Sequence, residues 1–300
     1  NSASPPWLKK FLNLHQVNSI NTLVDLTNYV MFIFGLPNHA FDVSLSTDNL
    51  VWELNRHFSQ FTTLDGSVLP LPSGILMVNN PTTALSLSFL GGQSCAISHQ
   101  TTETVIEMAV YDRTKVRQDY RLLKTTTEAA IRLDKDLDPK LIPIAFTFLI
   151  NQILQYCRGE ISCQLFDYYP SPSPDTQISF DPELPSLYAG INIPVDFATQ
   201  TLERLGCQLL PNGNKYSIVP PSIRKDINLE EDLIEEVVRF YGYHQIPKNS
   251  PIPIANTRDI TPKILYLIKK IKDDFTDLGY DEIRSWPLVN QTENPPTAII

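Results

Sequence analysis

The sequence predicts an α+β fold, spread over two domains and the beginning of a third, and three observations lead there. Short β-rich runs mix with helical ones from Trp7 to about Asp167, prolines gather at two seams, and the segment between the seams combines three strand-like runs with two helix starts. At 300 residues, with 42% hydrophobic and 19% charged side chains, the chain can bury more than one core. The expected divisions are residues 5–168, 175–247 and a truncated 257–300.

In the first division, the run from Val24 to Met31 reads as a helix that ends at Gly35 and is followed by a tight turn presenting His39. Leu50 to Leu54, Val68 to Leu71 and Ile75 to Val78 read as consecutive strands, with Asp65-Gly66 as a turn. Val105 to Ala109 is an apolar strand that carries Glu107, and Thr127 to Ala130 enters a helix. Pro143 to Tyr156 is apolar on nearly every side, so a buried helix is expected, too short to span a bilayer. Tyr169 to Pro174 alternates proline with small polar residues and is expected to be extended.

The second division is expected to hold strands at Gln177 to Phe180, Gln208 to Leu210 and Lys215 to Val219, with helices starting near Val195 and Leu229. Pro247 to Pro253 closes it. Thr261 to Leu278 then reads as a lysine-bearing amphipathic helix and Tyr280 to Pro287 as a strand.

Composition narrows the function classes. Lys and Arg number 24 against 33 acidic residues, a net charge of −9, which excludes a surface that attracts phosphate backbones without selection. Any RNA contact must be local. The sequence contains no apolar run of membrane-spanning length, and its opening NSASPPWLKK has no secretory pattern, so a cytoplasmic protein without a membrane partner is expected. The chain does not open on Met and reads as a piece of something longer. Cys95, Cys157, Cys163 and Cys207 lack CxxC spacing, which argues for reduced, packed thiols over a zinc ribbon or a disulfide framework.

The clearest local pattern runs from Asp226 to Gly242. Asn228 followed by Glu231 fits a capping arrangement, and Gly242 stands where a helix ends. Leu229, Leu233, Ile234, Val237, Val238, Phe240 and Tyr241 share one half of the wheel, while Asp232, Glu235 and Glu236 share the other. With Asp226 upstream, these carboxylates form either an oxygen-rich magnesium site or a solvated acidic face, and the bare spacing favours the solvated face.

Three weaker signals precede it. Thr27 and Asn28 lie in VDLTNYVM, and His39 lies in GLPNHAFD; each has an ordinary reading as a surface or core residue. Glu107 is more telling, because a carboxylate within an apolar strand needs a partner or a function. The Thr127 to Ala130 entry offers hydroxyls and backbone N–H groups, or simply a capped helix.

In order and wording, the four signals together resemble the bacterial-type phenylalanyl-tRNA synthetase beta subunit over nearly the whole chain. VDLTNYVM with GLPNHAFD is similar to the opening of that family's editing module. Thr127 to Pro139 is similar to its threonine-rich run ending in Asp-Pro, and IRKDINLEEDLIEEVVRFYGYHQIP to its most recognisable string. The resemblance implies a mixed α/β editing domain, a small α+β domain of winged-helix-like or DNA-binding-like type, and the start of a synthetase-like domain. It implies that Thr27, Asn28 and His39 line a pocket and position the ester or a water. It also implies that Glu107 faces a tyrosine hydroxyl, with Thr127 and Ala129 opposite and Gly92 among the substrate-binding positions. By the same resemblance, His39, Glu107 and Thr127 carry the hydrolysis, while Asp226, Asp232, Glu235 and Glu236 bind Mg2+ together with an alpha subunit of an alpha2beta2 heterotetramer. ATP is then used by the holoenzyme and not by this piece, and tRNA(Phe) is the RNA partner.

The chemistry follows from one hydroxyl. An apolar synthetic site rejects tyrosine in favour of phenylalanine by only about a hundredfold, so a second, hydrolytic site is needed. There a buried Glu107 accepts from the phenol, whereas phenylalanine leaves it unpaired at a cost of roughly 1–3 kcal/mol. Ester hydrolysis needs only a positioned water and donors for the oxyanion.

Three departures from the family pattern imply weakened or altered editing. Ser88 stands where a further glycine is usual ahead of Gly91-Gly92, Leu36 and Asn38 replace glutamine and methionine, and Ala130 and Ile131 replace serine and an aromatic or histidine. The competing reading is therefore an assembly and tRNA-binding piece with a defunct pocket. A freestanding deacylase is disfavoured by the synthetase-like segment after Thr261.

Overall fold

The structure, a computed structural model, describes residues 3–43, 50–162, 165–172, 174–247 and 261–284. The chain forms two compact units, Asn1–Ile246 and Pro247–Ile300.

The larger unit opens with α1 (Pro6–Leu14) and α2 (Thr22–Phe34), which pack with α5 (Ile142–Cys157) around Leu8, Leu12, Leu26, Val30, Leu36, Ala145 and Leu149. The start of α2 is well determined. The Asn21 side chain accepts from the Val24 N–H at 3.0 Å, and the buried Asp25 carboxylate accepts from the Ser4 and Ser19 hydroxyls and the Ile20 N–H. Its end is Gly35 at φ 72°, the left-handed position the sequence anticipates.

β1 (Asn38–Asp42) pairs antiparallel with β8 (Thr104–Met108). The tight turn expected at His39 is thus a strand: Pro37 ends the approach to it, and the following residues find a partner about 65 residues away, which local pattern does not reveal. β2 (Val51–Leu54), β5 (Leu76–Asn79), β6 (Ala84–Leu87) and β7 (Leu90–Gly91) form a four-stranded antiparallel sheet in the order β2-β5-β6-β7. β3 (Gln60–Thr62) and β4 (Val68–Pro70) form a hairpin whose turn contains Gly66 at φ 84°. Helices α3 (Arg113–Leu122) and α4 (Glu128–Leu133) cover this region, burying Val116, Ala130 and Leu133 with Phe61, Ile75, Met77 and Phe89. The buried Asp119 of α3 accepts from the Leu76 N–H at 3.0 Å, tying the helix to the sheet.

α5 is not the buried helix its composition suggests. Ala145 and Leu149 are buried while Ile144 is 61% exposed, because the helix covers the first core with one face only. Of the cysteines, Cys95 and Cys207 are buried free thiols and Cys157 is half-buried and free; Cys163 lies outside the described residues.

Residues 165–172 and 174–177 have neither helix nor strand, in line with the expected extended segment. Beyond them β9 (Ile178–Phe180), β10 (Gln208–Asn212) and β11 (Lys215–Val219) form an antiparallel sheet in the order β10-β11-β9. Helices α6 (Leu184–Ala189), α7 (Val195–Arg204) and α8 (Glu230–Tyr241) close a separate core of Phe180, Leu202, Ile218, Leu233, Ile234 and Val237. A polar corner joins this part to the first. The Asp138 carboxylate accepts from the Lys140 N–H at 3.1 Å and the Ser222 hydroxyl at 2.6 Å, with Lys225 at 3.9 Å.

The smaller unit contains α9 (Lys263–Asp277), as the amphipathic pattern anticipates. The strand expected from Tyr280 is absent at residues 280–284, and its remainder lies outside the described residues. Among the described residues no helix is long and apolar enough to cross a membrane.

Gly92 is a close-packed point of the fold. Its N–H donates to the Leu85 carbonyl at 3.0 Å, and an added Cβ would stand 2.3 Å from that oxygen and 3.0 Å from the Phe61 ring. Gly92→Ala is therefore expected to destabilise the protein by about 2–3 kcal/mol in urea unfolding, as the backbone cannot retreat.

Candidate functional site

The antiparallel register sets His39 directly opposite Glu107. Opposed residues in a ladder project from the same face, so the imidazole and the carboxylate share one side of the β1–β8 ribbon. Asn38 secures the near end, its side-chain N–H group donating to the Thr27 carbonyl at 3.0 Å and the Leu36 carbonyl at 3.3 Å. This brings the α2 positions Thr27 and Asn28 beside the ribbon. Thr27 is buried, and its hydroxyl donates within the helix to the Val24 carbonyl; Asn28 is half-buried on the same turn.

His39 is half-buried, but its Nε2 is fully enclosed and has no hydrogen-bond partner. Burial lowers its pKa to about 4, so the ring is neutral at physiological pH. Its Cε1 lies where a Cβ on Gly91 would come within 2.6 Å, so a bare backbone is required there.

Glu107 is partly buried, and two neutral donors hold one of its oxygens. The Trp52 indole N–H reaches Oε1 at 2.9 Å, and the Tyr111 hydroxyl donates to the same atom. Burial pushes the Glu107 pKa up, against the downward pull of the Tyr111 and Trp52 bonds. Among the described residues no ion pair reaches this carboxylate. Sequence reasoning missed both donors. Trp52 is 55 positions away, and Tyr111, four positions on, has no local signature that aims its hydroxyl backward.

Thr127 caps α4, accepting from the Ala130 N–H at 3.0 Å, and donates to the Phe89 carbonyl at 2.8 Å. Its hydroxyl proton is engaged by the Phe89 carbonyl, two residues ahead of the Gly91 that lies beside His39. Ala129 is half-buried on the first turn of α4. Gly92, one of the expected substrate-binding positions, is buried against Leu85, and Gly91 is the residue next to the imidazole. Two of the departures are packing changes. Leu36 and Ala130 are 1% and 0% exposed and fill cores, whereas Ile131 is exposed and the Ser88 hydroxyl and Asn38 Oδ1 are enclosed without partners.

The acidic helix differs from its expected form in three ways. Its N-cap is Leu229, and Asp232, not Glu231, reaches back to accept from the Asn228 and Leu229 N–H groups, each at 2.8 Å. Glu236 is buried instead of joining the polar face, while Leu229 and Phe240 are exposed. Arg224 stands between the acids, donating to both Asp226 oxygens and to Glu236 at 2.8 Å, and Arg239 bonds the other Glu236 oxygen. Burial raises the Glu236 pKa, but the two arginines more than reverse this, and the Arg224 bond holds Asp226 low. Glu235 is exposed, and among the described residues no three acidic, histidine or cysteine side chains gather as a metal site. In this chain alone Arg224 pairs Asp226 and Glu236 and Asp232 caps the helix, so a magnesium ion held by these carboxylates together with an alpha subunit would have to displace the Arg224 contacts.

A family model described as the B3/4 domain matches residues 1–158, and one described as the tRNA synthetase B5 domain matches residues 178–243. A relative from Clostridium acetobutylicum, named phenylalanine–tRNA ligase beta subunit, is 34% identical over 92% of this chain and 34% of its own length. The chain belongs to the phenylalanine–tRNA ligase beta-subunit family. A beta subunit of the same name from Salinibacter ruber is 29% identical over 93% of this chain and 34% of its own length. The chain thus spans about a third of the curated relatives it matches. An N-terminal fragment of the phenylalanyl-tRNA synthetase beta subunit from Pyrococcus horikoshii aligns with a TM-score of 0.39 and 11% identity, over 74% of this chain and 66% of that one.

Two measurements check the site. His39 binds its proton more weakly in the fold, to about 4 from an ordinary 6.5, so its contribution to stability is complete above pH 6.5 and is lost as pH falls to about 4. The expected loss is about 3 kcal/mol, read as the difference in urea-unfolding pH profiles between wild type and His39→Gln. Removing the central cation by Arg224→Ala leaves the buried Glu236 with Arg239 alone and is expected to cost about 2 kcal/mol, measured the same way.

Proposed function

We propose that this chain is the proofreading part of a phenylalanine–tRNA ligase beta subunit, in which the His39–Glu107 face hydrolyses the ester of tyrosine wrongly joined to tRNA(Phe). The observation that carries this reading is a partly buried Glu107 with no cation beside it among the described residues, set opposite an imidazole that burial keeps neutral. A phenol is a donor such a carboxylate accepts, and phenylalanine brings none. A neutral imidazole has one donor and one acceptor nitrogen, so His39 can orient a water at the ester and take its proton as attack proceeds. The bare Gly91 lets the imidazole pack against the backbone, and the Thr127–Phe89 bond ties down the chain just ahead of it. No step requires a metal.

By the same reading the complete beta subunit works in the cytoplasm with an alpha subunit, as an alpha2beta2 heterotetramer that charges tRNA(Phe) with phenylalanine at the expense of ATP. A second reading, an assembly and tRNA-binding piece with a closed pocket, is favoured by Ser88, whose enclosed and unpartnered hydroxyl stands where the family pattern has glycine.

Deacylation of Tyr-tRNA(Phe) by the assembled ligase separates the two. Glu107→Ala is expected to lower the preference for Tyr-tRNA(Phe) over Phe-tRNA(Phe) by about 10–100-fold, the worth of one charged hydrogen bond. His39→Ala is expected to slow hydrolysis of both by at least about 100-fold. Equal background rates for wild type and both variants would leave the assembly reading.

A further inference from the structure

Both donors that meet Glu107 converge on a single oxygen. Trp52 arrives from the edge strand β2, and Tyr111 from the segment between β8 and α3, yet the indole N–H and the phenol O–H both point at Oε1. Oε2 accepts no hydrogen bond from either and is not among the enclosed, unpartnered atoms. Two donors on one oxygen fix both the position and the plane of a carboxylate, because rotation about its terminal bond would break both contacts at once. They also favour the ionised form, opposing the effect of burial.

We infer that Trp52 and Tyr111 are positioning residues that clamp Oε1 of Glu107 and so present Oε2 as the acceptor for the hydroxyl of the tyrosyl group. The inference rests on the proofreading reading and adds the residues that set its selectivity. An unclamped carboxylate on a flexible stem would turn toward solvent or toward any nearby donor, and phenylalanine would then leave nothing unpaired. Both residues act through Glu107 Oε1, so the clamp governs which amino acid is accepted and not how fast the ester breaks.

Glu107→Ala, Trp52→Phe and Tyr111→Phe in the assembled ligase form the test, with kcat and KM measured for deacylation of Tyr-tRNA(Phe) and Phe-tRNA(Phe). The two clamp variants are expected to lower the tyrosine preference by about tenfold each, the worth of one hydrogen bond. The loss should fall on KM for Tyr-tRNA(Phe), with kcat for Phe-tRNA(Phe) unchanged. Should Glu107→Ala lose the preference while both clamp variants keep it, the clamp is wrong and the proofreading reading survives. A gain of preference in Tyr111→Phe would overturn the clamp by making Tyr111 an internal occupant that competes with substrate. Wild-type preference in Glu107→Ala, or no deacylation by wild type, would overturn the proofreading reading and the clamp with it. If Tyr111→Phe fails to fold, Trp52→Phe decides alone, since Trp52 is 46% exposed on an edge strand and its replacement leaves the core intact.

Discussion

The antiparallel register of β1 against β8 is the constraint from which the candidate site follows. A slip of one residue would turn His39 to the other face of the ribbon and set Asn38 or Ala40 against Glu107. Features at both ends and in the middle oppose a slip. Asn38 is tied to the carbonyls of Thr27 and Leu36, the Asp42 carboxylate accepts from the Thr101 hydroxyl at 2.5 Å, and Phe41 is fully buried with Val78, Leu85 and Cys95. The His39 ring lies edge-on to Phe41 at 4.4 Å between centroids, so the side chain that fixes the register also limits the imidazole.

Burial acts on the two ionisable groups of the ribbon in opposite senses. It lowers the pKa of the histidine and raises that of the glutamate, and in each case desolvation disfavours the charged form. Among the described residues neither group is neutralised by an ion pair, and that distinguishes this place from the acidic helix. There Arg224 and Arg239 supply compensating charge to Glu236, and the cluster reads as an internal structural network. Clustered carboxylates are thus no guide to chemistry until their neighbours are known.

What the sequence made legible was local. The end of α2 at Gly35, the strands near 51–54, 178–180 and 215–219, and helix α8 were readable because turn residues and periodicity act within a few positions. His39 in a strand was not readable, since a β-strand is defined by its partner and that partner is Glu107. β6 was missed because its four residues are all buried and show no alternation. The shift of the capping carboxylate from Glu231 to Asp232 came from placing the helix start one residue early, and the burial of Glu236 came from an arginine that precedes the helix. Family resemblance supplied His39, Glu107 and Thr127 as a set; which atoms they offer depends on Gly91, noted only as part of a glycine pair, and on Trp52, Tyr111 and Phe89, none of which stood out.

The corner at Asp138 gives the proline-rich connection an unexpected role. Ser222 and Lys225 meet that carboxylate across 84 and 87 positions of chain, so the first core and the β9–β11 part are joined without the peptide that runs between them. Protease nicking near residues 165–172 would cut the covalent thread and leave this electrostatic latch in place, the two pieces parting in concentrated salt or acid sooner than in dilute neutral buffer.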